Sequence, residues 1–310
     1  MSKSLRAASL FGAASLVNFP LSASTSADIA QKLKVHIFSK HLQFLNYADL
    51  ADAAASMGFD GIDLTVRPGG HVLPERVSDH LPKAAEAIRK AGLEPSLMTT
   101  AVDDASDPVD LKILSTAAQL GFTHYRMNWL PYPDNISMPE AIDRFTTTVK
   151  KIGEENRRLK LTGCYQNHAG LQVGSSIWEI YQVLREADKD YMGSQYDIRH
   201  AMVEGGTAWE NGFRLIADRI KTITVKDYKW SQKNGIWGVE DVPLGEGMVD
   251  FKKYFGLLKK NGIQVPVTLH VEYSLGGAEN GAKNISMDKN EVFRLMKKDL
   301  QKVHQLWQEA

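Results

Sequence analysis

Short apolar runs alternate with longer amphipathic segments along the chain from Lys34 onward. The short runs predict β-strands, and the longer segments predict helices, several of which stop at a glycine such as Gly58 or Gly121. The predicted strands span residues 34–38, 61–65, 95–100, 123–128, 160–167, 193–197, 220–226 and 265–273. The predicted helices span residues 47–57, 78–91, 108–120, 139–158, 175–187, 209–217, 250–261 and 289–307.

These elements form eight consecutive strand–helix units, with no linker or low-complexity tract between them. Repeated units of this kind imply parallel strands joined by right-handed crossovers. Eight units in 310 residues favour a single closed (β/α)8 barrel, the TIM-barrel fold of the α/β class, over a doubly wound sheet. No Gly-x-Gly-x-x-Gly motif follows the first strand, which also argues against a dinucleotide-binding fold. The longest predicted connection, residues 227–249, follows the seventh strand, and loops of that length are usually functional.

The first 27 residues have the layout of a secretory signal. Lys3 and Arg6 precede an apolar stretch over residues 7–21, and small residues follow at 22–27. We therefore predict a signal peptide or disordered segment at residues 1–27, the barrel at residues 28–310, and export of the mature protein to the periplasm. No later run of about 20 apolar residues predicts a membrane span.

The charge balance argues against polyanionic partners. With 37 acidic and 37 basic side chains the formal net charge is zero, so the chain has no long-range attraction to nucleic acid or to an anionic membrane. The single cysteine, Cys164, excludes an intramolecular disulfide, and its apolar neighbours indicate a buried structural residue.

Polar residues are concentrated where the predicted strands end, which is where the functional site of a (β/α)8 barrel lies. They are Arg67, His71, Arg126, Asn128, Gln166, His168, Asp197, His200, Thr224, Lys226, Asp227, His270 and Glu272. Residues two apart in a strand point to the same face, so Gln166 with His168, and His270 with Glu272, form expected inward pairs. Any one of them has a structural explanation, such as a hydrogen-bonded histidine or an exposed ion pair. Burying all of them without partners would be costly, so we expect them to meet at the barrel mouth.

Aromatic residues flank these positions, namely Trp129, Tyr132, Trp230 and Trp237. Aromatic faces beside hydrogen-bonding groups suit a sugar, which has apolar C–H faces and a rim of hydroxyls. Packing within the loops is the alternative explanation for these aromatics. We therefore expect a small-molecule carbohydrate as the ligand.

Several stretches resemble the xylose-isomerase-like barrels, a family of sugar isomerases, epimerases and barrel-type apurinic endonucleases. The stretches are residues 61–64, 166–168, 196–200, 225–227 and 244–251, with Glu272 in the last strand. The most specific is Leu-Gly-x-Gly-x-x-Asp-Phe at residues 244–251. The resemblance covers about residues 34–308 and implies the same barrel fold.

The resemblance also implies a metal site built from Glu, Asp, His and Glu on strands five to eight. Asp197 and Glu272 match two of these ligands, but Gln166 and Thr224 stand at the other two positions. Gln brings no charge and Thr is a weak ligand for the Mn, Zn, Co or Mg ion that such a site would hold.

Two outcomes are open for this site. A divalent metal would be held by Asp197 and Glu272 with help from His168, His200 or His270. Alternatively no metal binds tightly, and Lys226 supplies the positive charge. A buried lysine with a lowered pKa would act as a base or as a cation for an enolate. We favour the metal-free site.

The predicted function is that of an exported sugar isomerase, epimerase or lyase that abstracts a proton next to a carbonyl of a sugar or keto-glycoside. Glu272 is the predicted base, Lys226 the stabiliser of negative charge, and His168 or His200 the acid or hydroxyl binder. Substrate contacts are predicted at Arg67, His71, Arg126, Gln166, Asp197, Glu246 and His270.

The alternative function is a non-catalytic sugar-binding barrel that has lost its metal site, and the altered ligand positions support it. A nuclease is disfavoured, because it would need a filled multi-metal site and the chain has no excess of positive charge.

Overall fold

Eight parallel strands close into a barrel in the computed structural model of the chain, which describes Met1 and residues 32–310. In chain order the strands are β1 Val35–Phe38, β2 Gly61–Val66, β3 Glu94–Thr100, β4 His124–Arg126, β5 Thr162–Gln166, β6 Met192–Asp197, β7 Ile220–Val225, β8 Asp227–Lys233, β9 Ile236–Val242 and β10 Val267–Leu269. Strands β1–β7 and β10 form the barrel, and β1 pairs with both β2 and β10 to close it. The predicted (β/α)8 barrel is confirmed.

Helices cover the outside of the barrel. They are α1 Tyr47–Met57, α2 Val77–Lys90, α3 Pro108–Gln119, α4 Met138–Leu159, α5 Ile177–Leu184, α6 Ile198–Gly205, α7 Trp209–Ile216, α8 Phe251–Lys260 and α9 Lys289–Glu309. Side chains such as Asn46, Asp107 and Asp288 accept hydrogen bonds from main-chain N–H groups at the helix starts, which satisfies donors that have no partner within the helix. Every residue of β2 is buried, as expected of a strand that is covered on both faces.

Two elements were not predicted from the sequence. Helix α6 follows β6 directly, and Asp197 both ends that strand and caps the helix by accepting from the main-chain N–H of His200 at 3.2 Å. The predicted loop at residues 227–249 contains the antiparallel hairpin β8–β9. Its turn residues Asn234 and Gly235 have φ of 52° and 80°, the geometry for which Asn-Gly is the strongest short-range signal.

The N-terminal prediction falls outside this description. The predicted signal segment, residues 1–27, lies outside the described residues apart from Met1. No helix in the described part of the chain combines the length and the apolar composition that a bilayer crossing requires.

Candidate active site

Six polar side chains form a continuous chain of contacts across the carboxyl end of the barrel. We call them the polar chain: Arg126 at the end of β4, Gln166 at the end of β5, Asp197 at the end of β6, Lys226 directly after β7, Glu272 beyond β10, and Lys40 after β1. The closed strand order brings these ends to one rim, which is why residues far apart in sequence meet.

Lys226 lies at the centre of the polar chain. Its Nζ donates to Glu272 Oε2 at 2.8 Å and lies 3.4 Å from Asp197 Oδ2. Lys226 is 2% exposed and Asp197 is fully buried. The ammonium therefore occupies the space between the two carboxylates.

This arrangement determines the charge states. Burial opposes the charge on Lys226, but the carboxylates of Asp197 and Glu272 outweigh it and raise the pKa of the lysine. Burial acts to raise the pKa of Glu272 as well, yet Lys226 holds that pKa well below its usual range. Burial raises the pKa of Asp197, and Lys226 limits the rise. Lys226 is thus a cation at neutral pH, and the lowered pKa considered from the sequence is wrong because paired carboxylates surround it.

The two ends of the polar chain carry further cations. Gln166 Nε2 donates to Asp197 Oδ2 at 2.9 Å, while Gln166 Oε1 accepts from Arg126 Nη1 at 2.8 Å. At the other end Lys40 Nζ lies 3.1 Å from Glu272 Oε1. Lys40 was not among the residues predicted from the sequence, although it follows the first strand directly and the same strand-end rule would have found it.

The polar chain has a surplus of positive charge. It contains three cationic groups, Arg126, Lys226 and Lys40, and two carboxylates, Asp197 and Glu272. Three positive and two negative charges give these six residues a net charge of +1. A site of this kind favours a reaction in which negative charge develops on the substrate.

His200 and His168 are held in opposite tautomers. His200 Nδ1 accepts from the main-chain N–H of Ala169 at 3.1 Å and lies 3.0 Å from the Arg199 guanidinium, so its proton is assigned to Nε2. His168 Nδ1 lies 2.7 Å from the carbonyl oxygen of Ala169 and 3.1 Å from Gln172 Nε2, and its proton is assigned to Nδ1 because the carbonyl contact is the shorter one. Burial lowers the pKa of both rings, that of His168 to about 4. Both histidines are neutral near pH 7, so neither acts as an imidazolium acid.

The assigned His200 tautomer places two hydrogen donors face to face. His200 Nε2 lies 2.9 Å from Lys226 Nζ, and both groups are hydrogen donors. Two donors facing each other repel, and an oxygen atom that accepts from both would relieve the repulsion.

A cavity of about 460 Å³ opens beside the polar chain, within the range of about 300–1,000 Å³ of small-molecule sites. Lys40, Arg67, Arg126, Asn128 and Trp129 line it. The Arg126 guanidinium is stacked over the Trp129 ring, with its central carbon 4.3 Å from the ring centroid. Arg67, Arg126 and Trp129 are thus brought to the cavity.

Two residues predicted to contact substrate, His270 and His71, do not line the cavity. His270 is stacked on Phe38 with ring centroids 4.3 Å apart, and its Nδ1 is 3.6 Å from Glu272 Oε1. It lies behind the carboxylate, at a distance too long for a hydrogen bond. His71 accepts from or donates to Thr65 Oγ1 through Nδ1 at 3.2 Å, and its main-chain N–H donates to the same oxygen at 2.9 Å. His71 thereby holds the turn that follows Arg67.

Glu246 is not brought to the polar chain. Its Oε1 lies 3.2 Å from Lys298 Nζ of α9 in an exposed ion pair. The reason lies in Asp227, whose buried carboxylate accepts from the main-chain N–H groups of residues 228, 245, 247 and 249 at 2.8–3.1 Å. A Cβ at Gly247 would lie 2.2 Å from Asp227 Oδ1. The glycine-rich motif therefore wraps a structural aspartate and turns Glu246 outward.

The metal-ligand positions implied by the sequence do not suit a divalent ion. Gln166 turns its amide nitrogen, not its oxygen, toward Asp197, because Arg126 occupies the oxygen side. The Lys226 ammonium stands between Asp197 and Glu272, where a metal would have to lie. Among the described residues no group of three or more His, Cys, Asp or Glu side chains is arranged to hold a metal ion. The donor set and the lysine both argue against a metal at this point.

Comparisons with known proteins agree with this architecture. A family profile described as xylose isomerase-like TIM barrel matches residues 51–289. No curated protein matches the chain.

Solved structures with the same fold include enzymes that act on sugars. A D-allulose 3-epimerase from Methylomonas sp. is 16% identical, with a TM-score of 0.65 over 89% of this chain and 98% of that one. A 3-keto-D-glucoside 4-epimerase from E. coli is 14% identical, with a TM-score of 0.64 over 88% and 100%. A zinc-bound IOLI protein is 15% identical, with a TM-score of 0.69 over 89% and 99%. At these identities the similarity establishes the fold.

Proposed function

We propose, since the chain belongs to the xylose isomerase-like TIM-barrel family, that it is a sugar isomerase or epimerase that abstracts a proton next to a carbonyl. The observation that carries the proposal is the contact of 2.8 Å between the Glu272 carboxylate and the Lys226 ammonium beside a cavity with surplus positive charge. A base next to a cation is what enolisation requires. Sugar epimerases among the solved structures of this fold support the substrate class.

In the proposed reaction Glu272 removes the proton from the carbon next to a keto group. The C–H electron pair forms the new C=C bond, and the carbonyl π electrons move to oxygen to give an enolate. Lys226 and the Nε2–H of His200 hold that oxygen, since both donate toward the same point. Delivery of a solvent proton to the opposite face of the same carbon gives an epimer, and the abstracted proton then passes from Glu272 to solvent. Return of the Glu272 proton to the former carbonyl carbon, while the hydroxyl proton of the neighbouring carbon passes to the enolate oxygen, gives an isomer. Loss of a leaving group from the β-carbon would instead give a lyase product.

In the proposed reaction, the contact between Lys226 and Glu272 makes the pKa of Glu272 depend on the charge of the substrate. In the resting site Lys226 holds the pKa of Glu272 low, which keeps the carboxylate ionised but weakly basic. As negative charge grows on the substrate oxygen, Lys226 shifts its interaction toward that oxygen. Glu272 then becomes more basic at the moment when it takes the proton.

The proposed substrate is a neutral keto-sugar or keto-glycoside, processed in the periplasm as the N-terminal sequence predicts. The sugars in the names of two solved structures of this fold, D-allulose and 3-keto-D-glucoside, support the choice of substrate. N-terminal sequencing of protein recovered from the periplasm tests the location. Arg67 and Arg126 would donate to sugar hydroxyls, and Trp129 would contact a C–H face.

Deuterium exchange tests the proposal directly. The protein is incubated in D2O with keto-sugars, among them D-allulose, D-fructose and methyl 3-keto-glucoside, and exchange at the carbon next to the carbonyl is followed by NMR. Catalysed exchange into at least one sugar is expected. Sugar binding without exchange into any of them would favour the non-catalytic sugar-binding barrel, which the changed residues Gln166 and Thr224 support.

We also propose that the reaction needs no divalent metal, since Lys226 already supplies positive charge between Asp197 and Glu272. Elemental analysis of the purified protein is expected to find substoichiometric Mn, Zn, Co and Mg, and exchange is expected to be unchanged after dialysis against EDTA. A stoichiometric metal whose removal abolishes exchange and whose return restores it would overturn this proposal.

A further inference from the structure

The hairpin β8–β9 presents one continuous side-chain face. Its register places Tyr228 opposite Asp241, Trp230 opposite Val239, and Gln232 opposite Trp237. Side chains of directly opposite residues, and of residues two apart in a strand, lie on the same side of a sheet. These six residues, which we call the hairpin face, therefore share one side, and Lys229, Ser231, Ile236 and Glu240 lie on the other.

The outer part of the hairpin face is aromatic and open to solvent. Trp230 is 45% exposed and Trp237 is 66% exposed, and they lie on adjacent strands two residue pairs apart, as diagonal neighbours on the same face. Two exposed indoles beside the amide of Gln232 combine apolar surfaces with hydrogen-bonding groups. This is the surface chemistry that recognises a sugar ring.

The inner part of the hairpin face is joined to the polar chain. Asp241 Oδ1 accepts from Arg199 Nε at 3.1 Å and from Arg199 Nη2 at 2.8 Å. The same guanidinium lies 5.8 Å over the Tyr228 ring and 3.0 Å from His200 Nδ1. His200 in turn contacts Lys226. One arginine thus separates the hairpin face from the proposed reaction centre.

We propose that the hairpin face binds the second sugar ring of a keto-glycoside whose keto-sugar ring lies in the cavity. This inference rests on the proposed function and specifies its substrate as a disaccharide or longer glycoside. Successive same-face residues of a strand are about 6.8 Å apart, a spacing of the same order as one sugar residue. Trp230 therefore stands about one ring farther out than Tyr228, which contacts the Arg199 that fixes His200.

Variants of the two tryptophans test the inference. We would measure KM and kcat for deuterium exchange with two probes, the 3-keto derivative of cellobiose and methyl 3-keto-glucoside. Trp230→Ala and Trp237→Ala are each expected to raise KM for the keto-disaccharide about 5- to 10-fold, from the loss of aromatic stacking. Kinetics with methyl 3-keto-glucoside should not change. Trp→Phe at either position should restore part of the affinity.

Ile236→Ala is the matched control, because Ile236 is 75% exposed on the opposite side of the same hairpin. Equal KM values of wild type and tryptophan variants for the keto-disaccharide, or the same increase in Ile236→Ala, would overturn the inference. So would sedimentation velocity that shows a dimer broken by the tryptophan variants while the disaccharide KM stays constant, since the face would then bind a second copy.

Failure of the proposed function gives a different result. If the wild type catalyses exchange into neither probe, the enzymatic proposal fails. Saturation-transfer NMR with cellobiose then tests separately whether the hairpin face binds a sugar. Transfer to cellobiose that is lost in Trp230→Ala and Trp237→Ala, but kept in Ile236→Ala, supports the inference. Absence of transfer in wild type overturns it.

Discussion

Glu272→Gln is expected to lower kcat/KM for deuterium exchange by about 10²–10⁴-fold, the range for loss of a general base. The amide has the same shape as the carboxylate but cannot accept the proton. Lys226 keeps Asp197 as a partner 3.4 Å away, so the fold and the charge of the lysine should persist. Exchange is measured by NMR, and sugar binding by calorimetry should change far less than kcat.

Glu291→Gln is the control for Glu272→Gln. Glu291 forms an exposed pair with Arg294 in the first turn of α9, and its loss should leave exchange unaltered. Exchange at the wild-type rate in Glu272→Gln would exclude Glu272 as the base. His168 Nε2, which its tautomer leaves free to accept a proton, would then be the next candidate.

Lys226→Met is expected to destabilise the protein by about 3–5 kcal/mol near neutral pH, the cost of leaving a buried charge without its partner. Asp197 is fully buried, and without Lys226 its folded-state pKa, already raised by burial, rises further. A carboxyl with a raised pKa binds more protons in the folded state than in the unfolded state. The variant therefore loses stability as pH rises through that folded pKa, and its deficit shrinks at acid pH.

In the wild type, the contribution of Glu272 to stability depends on pH in the opposite direction. Its folded-state pKa is held below the unfolded value, so the stability it contributes is present above the unfolded pKa of about 4.3 and is lost as pH falls through the folded pKa. Urea unfolding at pH 5 and pH 8 compares the two proteins. The free energy of unfolding of Lys226→Met should fall further below that of the wild type at pH 8 than at pH 5.

The double variant Lys226→Met with Asp197→Asn separates charge from packing. Removing both charges leaves no unpaired ion, so most of the lost stability at pH 8 should return. A deficit of equal size at both pH values that the second substitution does not relieve would mean that lost packing dominates. Lys298→Met, at an exposed ion pair, should stay within about 0.5 kcal/mol of wild type.

The sequence by itself determined the barrel and the rim at which the candidate site lies. Repeated strand–helix units leave few topologies, and right-handed crossovers bring every strand end to one rim. For that reason Arg126, Gln166, Asp197, Lys226 and Glu272 were found from their positions alone. The Asn-Gly pair at 234–235 also carries the signal of a hairpin, although the residues around it predict a loop.

The tertiary structure decided the charges, the tautomers and the directions of side chains. The pKa of Lys226 depends on two carboxylates that lie 29 and 46 residues away in sequence, and the tautomer of His200 depends on the main-chain N–H of Ala169. Glu246 points outward because Asp227 binds the main chain on both sides of it. Such effects arise from distances of a few ångströms through space, since electrostatic and hydrogen-bond energies fall steeply with separation. Residue order specifies which groups reach the rim, and only the folded chain specifies which of them carry a proton there.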